Sequence, residues 1–233
     1  MATFTSSRSR LAVRAAGVGV LLTGIVGVLH LPIAAPLLRT ISPAFACPVR
    51  RGTPEQIDRA HALSSAALRR SATAAAPTRP ALGFVLDETR RGDMQAWASR
   101  FAISCASIGG NDNLQKCTSV PAAAVGEPDD LGVLEEVCFE FQASGELVNV
   151  QTMRRHLPAG TAATTVTRLE RRAASALGEP STEGGEPTTA HLGRSFLSTY
   201  VAVHAFTDYR ATVSATNLAA TGVMVREEYL SSR

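Results

Sequence analysis

The stretch Glu135–Arg155, EEVCFEFQASGELVNVQTMRR, decides the fold class. Val137, Phe139 and Phe141 alternate with Cys138 and Glu140, the two-residue period of a strand with one buried face. Turn-forming residues follow at Ala143–Glu146, and the alternation resumes through Val148 and Val150. Pairing Phe141 with Val148, Phe139 with Val150 and Val137 with Thr152 keeps the apolar side chains on one face. A slip of one residue would set the phenylalanines against Asn149 and Leu147. The stretch therefore predicts an antiparallel hairpin with a four-residue loop. Cys138 points to the other face, beside Glu140, and reads as a small covered thiol.

Immediately upstream, SCASIGGNDNLQKC (Ser104–Cys117) repeats the pattern. Strands over 103–108 and 114–120 flank a small polar loop, Gly109–Asn113. If Ile108 faces Leu114, Cys105 falls directly opposite Cys117. Opposed residues in such a ladder hold their Cβ atoms about 4.5–5.5 Å apart, and a close pair reaches disulfide geometry. A metal site would want more thiols or histidines at short spacing, and a thioredoxin-type motif would want only two intervening residues. The pair reads as a cross-strand disulfide, Cys105–Cys117, which places the folded part in an oxidising compartment.

Two helices precede the two sets of strands. The first opens near Thr89 and carries Met94, Trp97, Ala98 and Phe101 at three- and four-residue spacing, so Trp97 reads as a core residue. The second, Thr161–Leu177, turns Val166, Leu169, Ala173 and Leu177 inward and is stopped by Gly178 and Pro180. Residues 180–194, rich in Gly, Pro and Thr, read as a surface loop. Three more strands are expected at about 197–206, 210–216 and 222–230. The order helix-then-strands thus occurs twice. It implies an α+β fold, an antiparallel sheet of hairpins with two helices packed on one face.

That order resembles the modules of the SmpA/OmlA family of small envelope lipoproteins and the β-lactamase-inhibitor-protein fold. The residues carrying the likeness are Thr89-Arg90-Arg91, opening the first helix, and Leu177-Gly178-Glu179-Pro180, closing the second. In that family the two motifs belong to one short helical unit, whereas here they sit in different helices. The resemblance implies a non-enzymatic, protein-binding role in the cell envelope and transfers no site residues.

The amino terminus agrees with export. From Ala15 to Leu38 no formally charged residue interrupts the run, and Arg8, Arg10 and Arg14 precede it. This is the layout of a cleaved signal peptide or a retained hydrophobic anchor helix. Ala44-Phe45-Ala46 offers a signal-peptidase site just before Cys47. Cys47 is a candidate for lipidation, although Ala44 stands where a lipidation motif carries an aliphatic residue. Residues 1–46 then form the signal or anchor, 47–80 a stalk with a short helix starting at Thr53-Pro54, and 81–233 the globular domain. The formal charge of +3 divides unevenly, as +4, +4 and −5 over these three parts. A domain at −5 does not suit a nucleic-acid backbone. The expected location is periplasmic or otherwise extracytoplasmic, with membrane contact through the amino-terminal segment where it is retained.

No motif announces a reaction. His61, His156, His191 and His204 have no ligand-like spacing, Ser195 lacks the glycines of a nucleophile elbow, and Asp129, Asp130, Glu135 and Glu136 lack the spacing of a calcium loop. No cofactor or metal is expected. Two readings remain: an envelope module binding another protein through a sheet face, an edge strand or the 180–194 loop, and a small secreted hydrolase whose site assembles from His204, Asp208 and Tyr209. The first is preferred, because the second has no local signature.

Overall fold

A computed structural model describes residues 53–232 of the chain, and these fall in one compact unit. The amino-terminal segment, including the cleavage and lipidation candidates up to Cys47, lies outside the described residues. Four helices, α1 (Pro54–Ser71), α2 (Arg91–Arg100), α3 (Ala159–Leu177) and α4 (Thr189–Leu192), accompany a two-stranded ribbon, β1 (Pro80–Ala81) and β2 (Phe84–Val85). The main sheet holds β3 (Ser104–Ile108), β4 (Asn111–Pro121), β5 (Val133–Phe141), β6 (Leu147–Leu157), β7 (Thr182–Gly184), β8 (Thr199–Ala205), β9 (Tyr209–Asn217) and β10 (Val223–Ser231). The fold is mixed α+β, dominated by one large antiparallel sheet. None of the described helices is long and apolar enough to cross a membrane.

The sheet runs β3-β4-β5-β6-β10-β9-β8-β7, with every neighbour antiparallel. Two four-stranded meanders, each preceded by a helix, thus meet edge to edge at their last strands, β6 and β10. Each meander is local in sequence, so its hairpins form by short turns, and only the β6–β10 seam requires a distant pairing. Across the seam one row of residues faces the helices: Cys105, Cys117, Val137, Thr152, Glu227, Val213 and Ala202. Two rungs away run Phe139, Val150, Tyr229 and Ala211.

Both hairpin registers follow the alternation, with local exceptions. Phe139 pairs with Val150 and Val137 with Thr152, but a bulge after Glu140 sets Phe141 against Leu147 rather than Val148. Cys105 faces Cys117 and the two are disulfide-bonded, with Cα atoms 4.0 Å apart. Ile108, however, pairs with Asn111, not Leu114. Gly109 and Gly110 both take positive φ, 63° and 75°, and such a pair closes a two-residue turn. The strand therefore resumes at Asn111, three residues before its apolar pattern does. Cys138 is covered, as its position suggests, but it is disulfide-bonded rather than a thiol.

The core lies between this face and the helices. Ala162, Val166, Leu169, Ala173 and Leu177 of α3 are buried, each large one contributing about 1.5–3 kcal/mol. On α2, Met94 and Ala98 are buried, and Trp97 joins Phe84 and Phe139 in an edge-on cluster with ring centroids 5.0–5.6 Å apart. The Trp97 Nε1–H donates to the Ala124 carbonyl at 2.8 Å, which pins the β4–β5 connection beneath α2. Helix α2 begins one residue later than Thr89 suggests. Arg90 holds the N-cap position, where Asp93 accepts its backbone N–H, while Thr89 accepts the Val85 N–H instead.

The stretch read as stalk and linker is fastened to the domain. His61 hydrogen-bonds the Ser231 carbonyl, Arg69 donates to the Ser232 carbonyl, and Asp208 accepts the Ala76 N–H. The Tyr209 hydroxyl donates to the Pro80 carbonyl. Residues 180–194 also carry structure: β7 pairs with β8, and Leu192 of α4 is wholly buried in the core.

Candidate functional site

Glu227 stands mid-row on β10, where Val223, Val225 and Tyr229 alternate with it toward the helices. A charge at an inward strand position needs partners. Thr152, directly opposite on β6, donates to it at 3.1 Å, and the Tyr229 hydroxyl donates to it at 2.6 Å. Arg172 of α3 donates to Glu227 and, at 3.2 Å, to Glu127. Glu127 enters from the β4–β5 connection, just after Gly126 turns the chain with a φ of 75°, and pairs with Arg154 of β6. Arg154 Nη1 lies 3.8 Å from Glu227, and its Nε has no hydrogen-bond partner. Both meanders and α3 thus converge on one ionic knot.

Neither glutamate side chain has any exposed surface. Burial, reinforced by the charge of Glu227, pushes the Glu127 carboxyl up to about 7, against the pull of Arg154 and Arg172. Burial raises Glu227 too, but Arg172, the hydrogen bond from Glu127, Arg154 and Tyr229 together hold it below the usual carboxylate value. The knot therefore contains one protonatable and one ionised carboxyl side by side. That division is the pattern of general acid–base pairs. Here, with both carboxyls sealed, no substrate atom reaches either, and the knot acts as a lock between elements.

Above it lies a cleft of about 590 Å³, lined by Pro128, Asp130, Arg168, Arg171, Arg172 and Ser175. A second hollow of about 390 Å³ shares Arg168 and Arg171 and is completed by α3 and α4 residues with Pro187. Arg168 pairs with Asp130, whereas exposed Arg171 makes no ion pair among the described residues.

The residues of the hydrolase reading do not assemble. His204 is wholly buried, and burial depresses its pKa against the opposing pull of the Gly178 backbone and the Glu179 charge. Asp208 is engaged by the Ala76 N–H and lies 4.0 Å from Arg79, and the Tyr209 hydroxyl is committed to Pro80. His61, His156 and His191 each bond a backbone carbonyl, and Ser195 Oγ meets only Ser198. Of the acidic group, Asp130 pairs with Arg168, and Glu135 and Glu136 with Arg155. Among the described residues no three His, Cys, Asp or Glu side chains are grouped to hold a metal. Glu127, Arg154, Arg172 and Glu227 were not legible as a group. The one available signal was Glu227, an acid at an inward position of an alternating strand.

The two edges of the sheet differ. β7 is three residues long, contains Glu183, and is flanked by Pro180 and Pro187. β3 is five residues long, without charge or proline, and Ser104, Ala106 and Ser107 are exposed. The disulfide ties it to β4. Charge, proline and brevity are how edges are protected from further pairing, and only β7 has them. Compared with models of known protein families, with curated proteins and with solved structures, the chain matches none.

Proposed function

We propose that the protein is an extracytoplasmic, non-enzymatic interaction module that takes an extended segment of another envelope protein along the β3 edge. The observation that carries this reading is the contrast between the two edges, one protected and one open. The Cys105–Cys117 disulfide suggests an oxidising compartment and also keeps β3 in place as a template. Strand addition draws affinity from backbone hydrogen bonds and needs little side-chain area. Five edge residues span about 17 Å. That length suits a peptide segment better than a second globular copy, which needs about 1,200–2,000 Å² of buried surface to hold.

The test is a photo-cross-linkable residue placed at Ala106 in the full chain, with the same probe at Glu183 as comparison. The expected result is one discrete adduct from position 106, absent from position 183 and lost when Ser104→Lys charges the edge. Equal adducts from both edges, or an adduct indifferent to Ser104→Lys, would sink the proposal.

A further inference from the structure

The cleft over the ionic knot has a chemistry that strand addition does not use. Within a domain carrying a formal −5 over residues 81–233, three arginines of one helix face, Arg168, Arg171 and Arg172, line a single hollow. Asp130 is the one acid lining it, and it is paired with Arg168. Arg171 has no ion-pair partner there, and the Ser175 side chain lies beside it in the lining. Guanidinium forks spaced along a helix match the oxygens of a tetrahedral anion, which a shallow hollow open to solvent can receive.

From this arrangement we infer that the Arg168–Arg171–Arg172 cleft binds an oxyanion group, a phosphate or sulfate ester, and that proton uptake by Glu127 underneath tightens the binding. The link is Arg172, which lines the cleft with its outer surface and bonds both carboxylates with its inner one. Glu127 is faced by Glu227 of β10, Arg154 of β6 and Arg172 of α3, while Thr152 and Tyr229 bond Glu227 on its far side. With both carboxyls ionised, the knot balances its two arginines. With Glu127 protonated, one positive charge is left over, and Arg172 presents it to the cleft. The carboxyl's upward shift toward neutrality places this change within ordinary pH. Anion and proton then favour one another reciprocally, as linked ligands must.

Inorganic sulfate is the probe, because its charge does not change between pH 6 and 8. Calorimetric titration of the full chain should show saturable binding that tightens about five-fold or more from pH 8 to pH 6. Arg171→Glu, at an exposed position whose charge acts only on the neighbouring Glu170 among the described residues, should weaken it more than ten-fold while circular dichroism stays unchanged. Glu127→Gln, which mimics the protonated carboxyl, should hold affinity at its pH 6 level throughout. Parallel arms with inorganic phosphate and with phosphatidylglycerol-containing vesicles separate a soluble ester from a lipid headgroup. Vesicle binding that sulfate displaces, or sulfate and phosphate binding without vesicle binding, upholds the site and names the source. Absence of saturable sulfate binding at pH 6, indifference to both Arg171→Glu and Arg168→Glu, or pH dependence surviving in Glu127→Gln would each overturn it.

Discussion

Thr152 of β6 and Glu227 of β10 face each other across the seam between the two meanders, joined by a 3.1 Å hydrogen bond in a position with no exposed surface. Three charged side chains converge on that one buried carboxylate or its neighbour. Arg172 reaches down from α3, Arg154 up from β6, and Glu127 in from the β4–β5 connection.

Removing the charge should therefore cost more than the charge itself contributes. In Glu227→Ala, Arg154 would keep only Glu127, and the Tyr229 hydroxyl would lose its acceptor. Breaking a buried pair from one side typically costs about 3–5 kcal/mol, because a desolvated partner is left behind. Denaturant unfolding of Glu227→Ala should show a loss of this size. A loss under about 1 kcal/mol would mean that the knot relaxes into water.

Stability should fall as pH rises toward neutrality. The Glu127 carboxyl sits at about 7 in the folded chain against an ordinary 4.5. Between those values the folded state holds a proton that the unfolded state has released. Stabilisation is thus complete below about 4.5 and is lost as pH passes through 7. A shift of that extent corresponds to at most about 3 kcal/mol. Glu227 acts in the opposite sense: its lowered value gives stability that is present above 4.5 and lost in acid. Unfolding midpoints measured from pH 4 to 8 should peak on the mildly acidic side, and Glu127→Gln should remove the decline above it.

The sheet was legible in the sequence where one face is apolar and alternates, because there a register slip exposes a whole row. Phe139 against Val150 is of this kind; Cys105 does face Cys117, although the Ile108–Leu114 pairing from which that register was counted does not form. The Gly109-Gly110 turn was not legible, since Asn111, Asp112 and Asn113 look like loop residues although they continue a strand. The ionic knot was hidden because its four charges lie up to 100 residues apart, on a connection, two strands and a helix. Only the β6–β10 seam, a pairing that no local pattern encodes, brings them together.

The cross-strand disulfide should matter for stability and for the edge. Cys105→Ser with Cys117→Ser, which leaves the Cys138 disulfide intact as reduction would not, reopens a short loop and should lower stability by about 3 kcal/mol in the chain-entropy description. Under denaturing, non-reducing conditions neither cysteine should react with a thiol reagent. Amide exchange in β3 should rise in the double variant before the rest of the sheet is affected. Labelling of either cysteine in the unreduced chain would remove the pairing.

Gly185 offers a sharper test of whether residues 180–194 are structure or loop. Its φ is +76°, and a Cβ there would meet the Thr199 carbonyl oxygen at 2.2 Å, with the His191 Nε2 at 3.0 Å. The His191 ring itself bonds that same carbonyl, so the glycine backbone and the start of β8 are packed together with the imidazole closing the third side. No flexible side chain is available to yield, and the strand or α4 must move instead. Gly185→Ala combines left-handed strain with this collision and should cost about 2 kcal/mol or more. The loss should be local: hydrogen exchange should deprotect β7 and the turn around Leu192, while β4–β6 keep their protection. In a solvated loop the same substitution would be nearly silent, so unchanged exchange in β7 would contradict the packing of this segment.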